Sequence, residues 1–146
     1  MDKASTPIVT FVDRYLSACH SAGMSSKTIR SYNEKLKRYM RMVGGTLSDF
    51  NLETIRCHLT NLQNSKKWQG HPCTPPGTQT LSTTTVRNHA RVLTSFARWL
   101  YNEEYTTEHV LTRLKIPKAT EIRMEPLSEE EITRLMASFN LKFEIE

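Results

Sequence analysis

The chain is 146 residues long, with 38% hydrophobic and 24% charged residues, enough for one globular domain with an appendage and too little for two full ones. That hydrophobic content excludes a wholly disordered chain, and no window holds the roughly 18 apolar residues of a membrane span. Net charge is +5, unevenly divided: residues 1–124 hold 18 Lys/Arg against 9 Asp/Glu, and residues 125–146 hold 2 against 6. A basic body suits nucleic acid or an anionic membrane surface, although plain solubility explains the same asymmetry. The opening residues lack the basic-then-apolar pattern of a secretory signal. Three scattered cysteines, Cys19, Cys57 and Cys73, read as reduced thiols of a cytoplasmic protein.

Helical periodicity dominates and no strand alternation stands out, so an all-α fold is expected. The first helix is expected over residues 7–22, with Ile8, Phe11, Val12, Tyr15, Leu16 and Cys19 on one stripe. Thr6 is its expected cap, Pro7 fits its first turn, and Gly23 ends it. The second begins after Ser25 or Ser26 and stops at Gly44-Gly45, burying Ile29, Tyr32, Leu36, Tyr39, Met40 and Val43. The third is capped by Asn51 and turns Leu52, Ile55, Leu59 and Leu62 inward, with Cys57 expected to be partly buried. Residues 64–80 hold three prolines, two glycines and no period, which marks a loop long enough to be mobile or functional.

The fourth helix opens at Ser82 and runs to about Glu103. Its core positions Val86, Ala90, Leu93, Ala97 and Leu100 alternate steps of four and three, the strongest helical signal in the chain. A short fifth helix is expected over residues 107–114. Residues 115–127 read as a linker. Ser128 and Glu131 then form a capping box for another helix, with Ile132, Leu135 and Met136 on its apolar face. This last piece is too short to bury that face alone and reads as the start of a second domain.

Two helices carry a candidate interface. On the second, Lys27, Arg30, Lys37, Arg38 and Arg41 lie away from the apolar stripe and share their face only with Glu34. Ordinary surface helices mix the two signs, so this bias points beyond a merely solvated face. The fourth helix starts with four hydroxyls, Ser82 to Thr85. With its exposed N–H groups, that start is a phosphate site. Arg87, Arg91 and Arg98 follow on its flank, within reach of backbone phosphates or base edges. No Gly-rich phosphate loop, nucleophile motif or spaced acid pair is present. Tyr15, Tyr32 and Tyr39 read as core, whereas Tyr101 and Tyr105 are more exposed but lack an activating neighbour. Cys57-His58 and His71-x-Cys73 lack metal-ligand spacing, so neither a metal nor a cofactor is expected.

Phe11, Tyr15 and Leu16, followed by Ser26, Thr28, Tyr32 and Leu36, resemble the start of the N-terminal core-binding domain of tyrosine recombinases, the phage-integrase family. So does the series Ser82, Thr85, Val86, His89, Val92, Leu93, Ser95, Phe96, Trp99 and Leu100. Ile116-Pro117-Lys118 and the run from Pro126 to Ile132 with Leu135 resemble that family's interdomain linker and first catalytic-domain helix. The resemblance implies a four- to five-helix SAM-like bundle over residues 1–114, a linker over 115–127 and the start of a catalytic domain over 128–146. It implies that the bundle is one half of a clamp around duplex DNA. Lys27, Thr28, Arg30 and Ser31 of the second helix, and Thr84, Arg87, Asn88 and Arg91 of the fourth, are then the expected DNA contacts, and the basic face of the second helix adds Arg38. Lys115 and Lys118 of the linker join them. The family's catalytic arginines, lysine, His-x-x-Arg and tyrosine nucleophile belong beyond Leu135 and find no counterpart before Glu146. The expectation is therefore a non-catalytic DNA-binding domain, monomeric in isolation, with no membrane partner. A helical module with a basic surface for an acidic protein, and a helix-turn-helix regulator, are the alternatives. Against the second stand the length of the fourth helix and the lack of a short turn before it.

Overall fold

A computed structural model describes residues 3–120 and 124–140. Five α-helices follow one another: α1 (Ile8–Ser21), α2 (Ser26–Val43), α3 (Leu52–Asn64), α4 (Thr83–Asn102) and α5 (Glu129–Asn140). Short 3-10 turns lie at Lys3–Ser5 and Leu47–Asp49. Among the described residues there is no strand, only the isolated bridges Pro7–Thr46 and Lys66–Thr80. The all-α class read from the sequence holds, and the bundle itself is α1 to α4.

Most of these helices begin where a side chain can satisfy an orphan N–H. Ser25 Oγ accepts from the Thr28 N–H at 3.2 Å and Ser82 Oγ from the Thr85 N–H at 3.2 Å. Asn51 Oδ1 accepts from the Glu53 and Thr54 N–H groups, both at 3.0 Å, and the Asn51 N–H donates back to Thr54 Oγ1 at 3.3 Å. The capping box at Ser128 and Glu131 closes in both directions, at 3.2 and 2.9 Å.

Helix α1 departs from expectation. Its N-cap is Pro7, with no side-chain hydrogen bond, and Thr6 does not cap. Instead the Thr6 carbonyl accepts from the Leu47 N–H at 3.0 Å, and the Ile8 N–H donates to the Gly45 carbonyl at 3.2 Å. The entry of α1 is thus secured by the α2–α3 connection rather than by a local cap. Gly45 is needed there. Its φ of +89° is a left-handed conformation, and a Cβ would collide with the Asp49 carboxylate that accepts from the Thr46 N–H at 2.8 Å.

Helix α4 is the central post of the bundle, in contact with α1, α2 and α3. It buries Val86, His89, Ala90, Val92, Leu93, Phe96, Ala97 and Leu100. The Phe96 ring meets Phe50, Tyr15 and Trp99 at centroid distances of 5.2, 5.3 and 6.2 Å. Tyr15 and Tyr39 are core residues as expected, each sharing a hydrogen bond with a neighbouring hydroxyl: Tyr15 with Ser95 at 2.8 Å, Tyr39 with Thr54 at 3.0 Å. Burial raises both phenols above their ordinary range. Tyr32 is only half-buried, stacked on Tyr15 at 6.2 Å.

Two further expectations are corrected and a third is refined. Residues 107–114 form turns, not a helix. His109 Nδ1 accepts from the Leu111 N–H at 3.2 Å and Thr112 Oγ1 donates to the His109 carbonyl at 2.7 Å, local bonds that compete with a helical ladder. Leu111 is buried all the same. Cys57 is exposed, because it lies off the Ile55–Leu59–Leu62 stripe and its neighbour His58 takes the inward position. The 64–80 segment is the loop expected, but its base is paired: the Lys67 N–H donates to the Gln79 carbonyl at 2.8 Å and the Leu81 N–H to the Ser65 carbonyl at 2.9 Å. Helix α5 leaves Ile132, Leu135, Met136 and Phe139 exposed. Among the described residues no helix is long and apolar enough to cross a membrane.

Candidate nucleic-acid interface

The start of α4 is less open than its four hydroxyls suggest. Ser82 caps the helix and shares a hydrogen bond with Thr85 Oγ1 at 2.8 Å. Thr83 Oγ1 accepts from the Thr120 N–H at 2.9 Å and also bonds the Thr120 hydroxyl at 3.4 Å. Three of the four are therefore engaged within the protein, and Thr84 alone is exposed with no partner among the described residues. The expected hydroxyl cluster reduces to Thr84 and the first-turn N–H groups.

The Thr83–Thr120 bonds have a second effect: they hold the linker across the flank of α4. Arg87 and Arg91, one helical turn apart, line an open cleft of about 380 Å³ together with Ile116, Pro117, Lys118 and Ala119. Three expected contact residues from two separate segments, Arg87, Arg91 and Lys118, thus meet around one cavity. No carboxylate of the described residues pairs with any of them. Asn88 and Arg91 are exposed and Arg87 is half-buried. From Thr54 to Asn102 the chain contains six Lys/Arg and no Asp or Glu.

On α2, Thr28, Ser31, Lys35 and Arg38 form a half-buried stripe at spacings of three, four and three. The first three are tied down locally. Thr28 Oγ1 shares a hydrogen bond with Ser25 Oγ at 2.8 Å, and Lys35 Nζ donates to the Ser31 hydroxyl and carbonyl. Burial, then the neighbouring Arg41 charge, lowers the Arg38 guanidinium below its ordinary value. Lys35 was absent from the residues expected at the interface; the spacing it shares with Thr28, Ser31 and Arg38 was the signal for it.

Beneath this stripe lie two buried imidazoles. His58 of α3 and His89 of α4 have ring centroids 5.8 Å apart, and the His58 ring stands edge-on to Tyr39 at 5.2 Å. Both His58 ring nitrogens and His89 Nδ1 lack a hydrogen-bond partner among the described residues. Burial first, then the Arg38 charge, pushes His58 down to about 4. Burial, then His58, Arg38 and Lys35, pushes His89 down to about 3. Both rings are therefore neutral near pH 7. That His89 feels Arg38 and Lys35 sets this edge of α2 against α4.

Lys27 and Arg30 are not gathered into the cleft. They are exposed on the first turns of α2, and that end of the helix lies by the later part of α4: Met24 lines a hollow with Ser95, Arg98, Trp99 and Asn102. Arg38 is about 15 Å further along the axis, at 1.5 Å per residue. Lys115 is exposed on the linker. His71 and Cys73 lie exposed in the 64–80 segment, away from the buried His58. Among the described residues no three His, Cys, Asp or Glu side chains converge as a metal site.

Similarity to known proteins agrees with this architecture. The fold matches that of the integrase from mycobacterium phage Brujita with a TM-score of 0.61 at 17% sequence identity, over 88% of this chain and 39% of that one. The chain thus spans about two fifths of that protein's length. No curated protein matches. Residues 11–107 match the family described as phage integrase, N-terminal SAM-like domain. On that match, which covers most of the bundle from Phe11 to Thr107, the chain belongs to the N-terminal SAM-like domains of phage integrases.

Proposed function

We propose that this domain grips duplex DNA for a tyrosine recombinase and performs no bond chemistry itself. The observation that carries the reading is the cleft where Arg87 and Arg91 of α4 meet Lys118 of the linker, three cations with no carboxylate among the described residues to neutralise them. Unpaired guanidinium groups on a firmly packed helix, with an ammonium group from the linker held against it, suit phosphate oxygens, which set affinity and register on a duplex. Thr84 and Asn88 extend this surface along α4, and Lys35 and Arg38 of α2, near enough to the buried His89 for their charges to lower its pKa, supply further cations. Lys27, Thr28, Arg30 and Ser31 continue it towards the other end of α2. Base contacts, where made, come from the arginines and Asn88, whose side chains match guanine and adenine edges.

In this reading residues 1–114 are the DNA-gripping unit and residues 115–127 a linker that also touches the backbone. Residues 128–146 begin a catalytic domain, and the apolar face of α5 packs there. The domain works on DNA in the cytoplasm, without cofactor or metal, and is monomeric until it assembles on its site.

The test is a titration of labelled duplex DNA at several salt concentrations, with an acidic polypeptide as control. Each neutralised phosphate contributes about −0.9 to the slope of log K against log salt. Contacts from Lys35, Arg38, Arg87, Arg91 and Lys118 contribute about −4 to −5 to that slope, with an affinity of ~10⁻⁴–10⁻⁶ M for arbitrary sequence. Equal binding to the acidic polypeptide would favour a protein-interaction module instead.

A further inference from the structure

The 64–80 segment lies outside the surface assigned above, and its construction calls for an explanation. The Lys66–Thr80 bridge and the Lys67–Gln79 and Ser65–Leu81 hydrogen bonds zip its two ends together. It is thus an arm rooted between the end of α3 and the start of α4, the end of α4 that carries Thr84 and Arg87. The arm holds Lys66 and Lys67 and no carboxylate. Next to them Trp68 is 56% exposed, and its ring meets the exposed His71 edge-on at 5.3 Å.

A large aromatic side chain in water forgoes the burial that would stabilise it. Trp68 also has a φ of +62°, a left-handed conformation that strains a bulky residue and persists only where neighbours enforce it. The neighbours do so. The Gln69 N–H donates to the Lys66 carbonyl at 3.3 Å and the His71 N–H to the Trp68 carbonyl at 3.0 Å. The Lys66 N–H donates to Gln69 Oε1 at 3.1 Å, and Lys67 Nζ donates to Gln79 Oε1 at 2.9 Å. The hydrogen bonding therefore holds the Trp68 backbone in this conformation, and its indole stands exposed next to two lysines in the chain.

We infer that this arm is a second contact with duplex DNA, in which Lys66 and Lys67 take backbone phosphates beside the start of α4 and Trp68 lies against the sugar–base edge of the same stretch. The inference rests on the DNA-gripping reading above and deepens it. Lysines supply phosphate attraction without sequence preference. An apolar ring beside them suits the wall of a groove, where aromatic and apolar side chains of DNA-binding proteins pack or wedge. An anionic lipid surface is the other partner that a Lys-Lys-Trp tip can meet. The root of the arm at the basic end of α4 favours DNA.

The experiment uses the whole chain and compares wild type, Lys66→Ala/Lys67→Ala, Trp68→Phe and Arg87→Ala/Arg91→Ala. All four are first checked for unchanged helical content and melting. With duplex DNA, Lys66→Ala/Lys67→Ala should make the salt slope shallower by about 1.8, two phosphates at about 0.9 each. Duplex should quench indole emission in wild type, and the quench should vanish in Trp68→Phe, which retains Trp99. Suppose the wild type and the arginine variant behave as DNA binding requires, while the lysine variant keeps the full slope and the emission does not move. The arm is then refuted and the DNA-gripping reading stands. Absence of duplex binding by the wild type overturns both. An indole shift with phosphatidylserine vesicles but not with duplex overturns the arm's role in favour of a lipid contact.

Discussion

Helices α2 and α4 are both basic and amphipathic, yet they differ in what holds their charges. Between Lys27 and Arg41, α2 carries six cations and one acid, and α4 carries three cations and no acid. By number alone α2 is the stronger candidate. In the fold, α2 buries only Leu36 and Tyr39 fully, whereas α4 buries eight residues. The arginines of α4 meet Lys118 across a cleft, while Lys27 and Arg30 project singly from the first turns of α2. A site is made by convergence on a rigid support more than by the local density of charge. That principle ranks α4 above α2.

The largest expected effects lie in the core. Phe96→Ala removes the ring that Tyr15, Phe50 and Trp99 pack against, and should lower unfolding stability by about 3–5 kcal/mol. Tyr32→Ala, at a half-buried position of α2, should cost markedly less. Equal losses in urea melts would break the ranking of the two helices. Next comes acid. The folded-state values of His58 and His89 are depressed to about 4 and about 3, so between those values and about 6.5 the unfolded chain binds more protons than the folded one. Stability is full above about pH 6.5 and falls as pH drops, by up to about 1.4 kcal/mol per pH unit for each ring. His89→Leu should about halve that acid slope in denaturant titrations across pH 4.5–7; an unchanged slope would place the titrating group elsewhere.

How much of this could be read from the chain follows from the range of the forces involved. Helix starts at Ser25, Asn51, Ser82 and Ser128 were legible because caps act over three residues. The buried stripes of α1 to α4 were legible because 3.6-residue periodicity is local. Thr6 failed as a cap because its carbonyl is taken by Leu47, about forty residues away. Residues 107–114 failed as a helix because His109 and Thr112 bond their own backbone, which an apolar pattern does not reveal. At the interface, Arg87 and Arg91 could be read from the flank of α4. The engagement of Thr83 by Thr120 and the closure of Lys118 onto the arginines could not, since they join segments 37 residues apart. His58 occupied a legible inward position, but its nearness to His89 was visible only once α3 and α4 had packed.

The comparison sharpens further in DNA binding. Arg87→Ala/Arg91→Ala should make the salt slope shallower by about 1.8, with a clear fall in affinity. Lys27→Ala/Arg30→Ala removes as much charge and should change the slope by less than half of that, because neither side chain joins the cleft. Salt titrations of the two double variants on one duplex compare them directly. If the α2 pair matched or exceeded the α4 pair, the interface would centre on the start of α2 and the cleft would be secondary.

The smallest effect isolates the linker. Thr83→Val keeps the shape of the side chain but removes the oxygen that accepts the Thr120 N–H at 2.9 Å. The side chain is exposed and Ser82 still caps α4, so stability should change little. Lys118 would then lose its fixed position beside Arg87 and Arg91, and the linker would need to be ordered again on binding, an entropic cost to affinity without any loss of charge. The expected result is a few-fold weaker binding to duplex with a nearly unchanged salt slope, since the number of cations is the same. Lys118→Ala provides the contrast: it should make the slope shallower by about 0.9 while leaving the linker held. If Thr83→Val left affinity unaltered while Lys118→Ala lowered it, Lys118 would act as a free charge on a loose tether, and convergence would no longer distinguish α4 from α2.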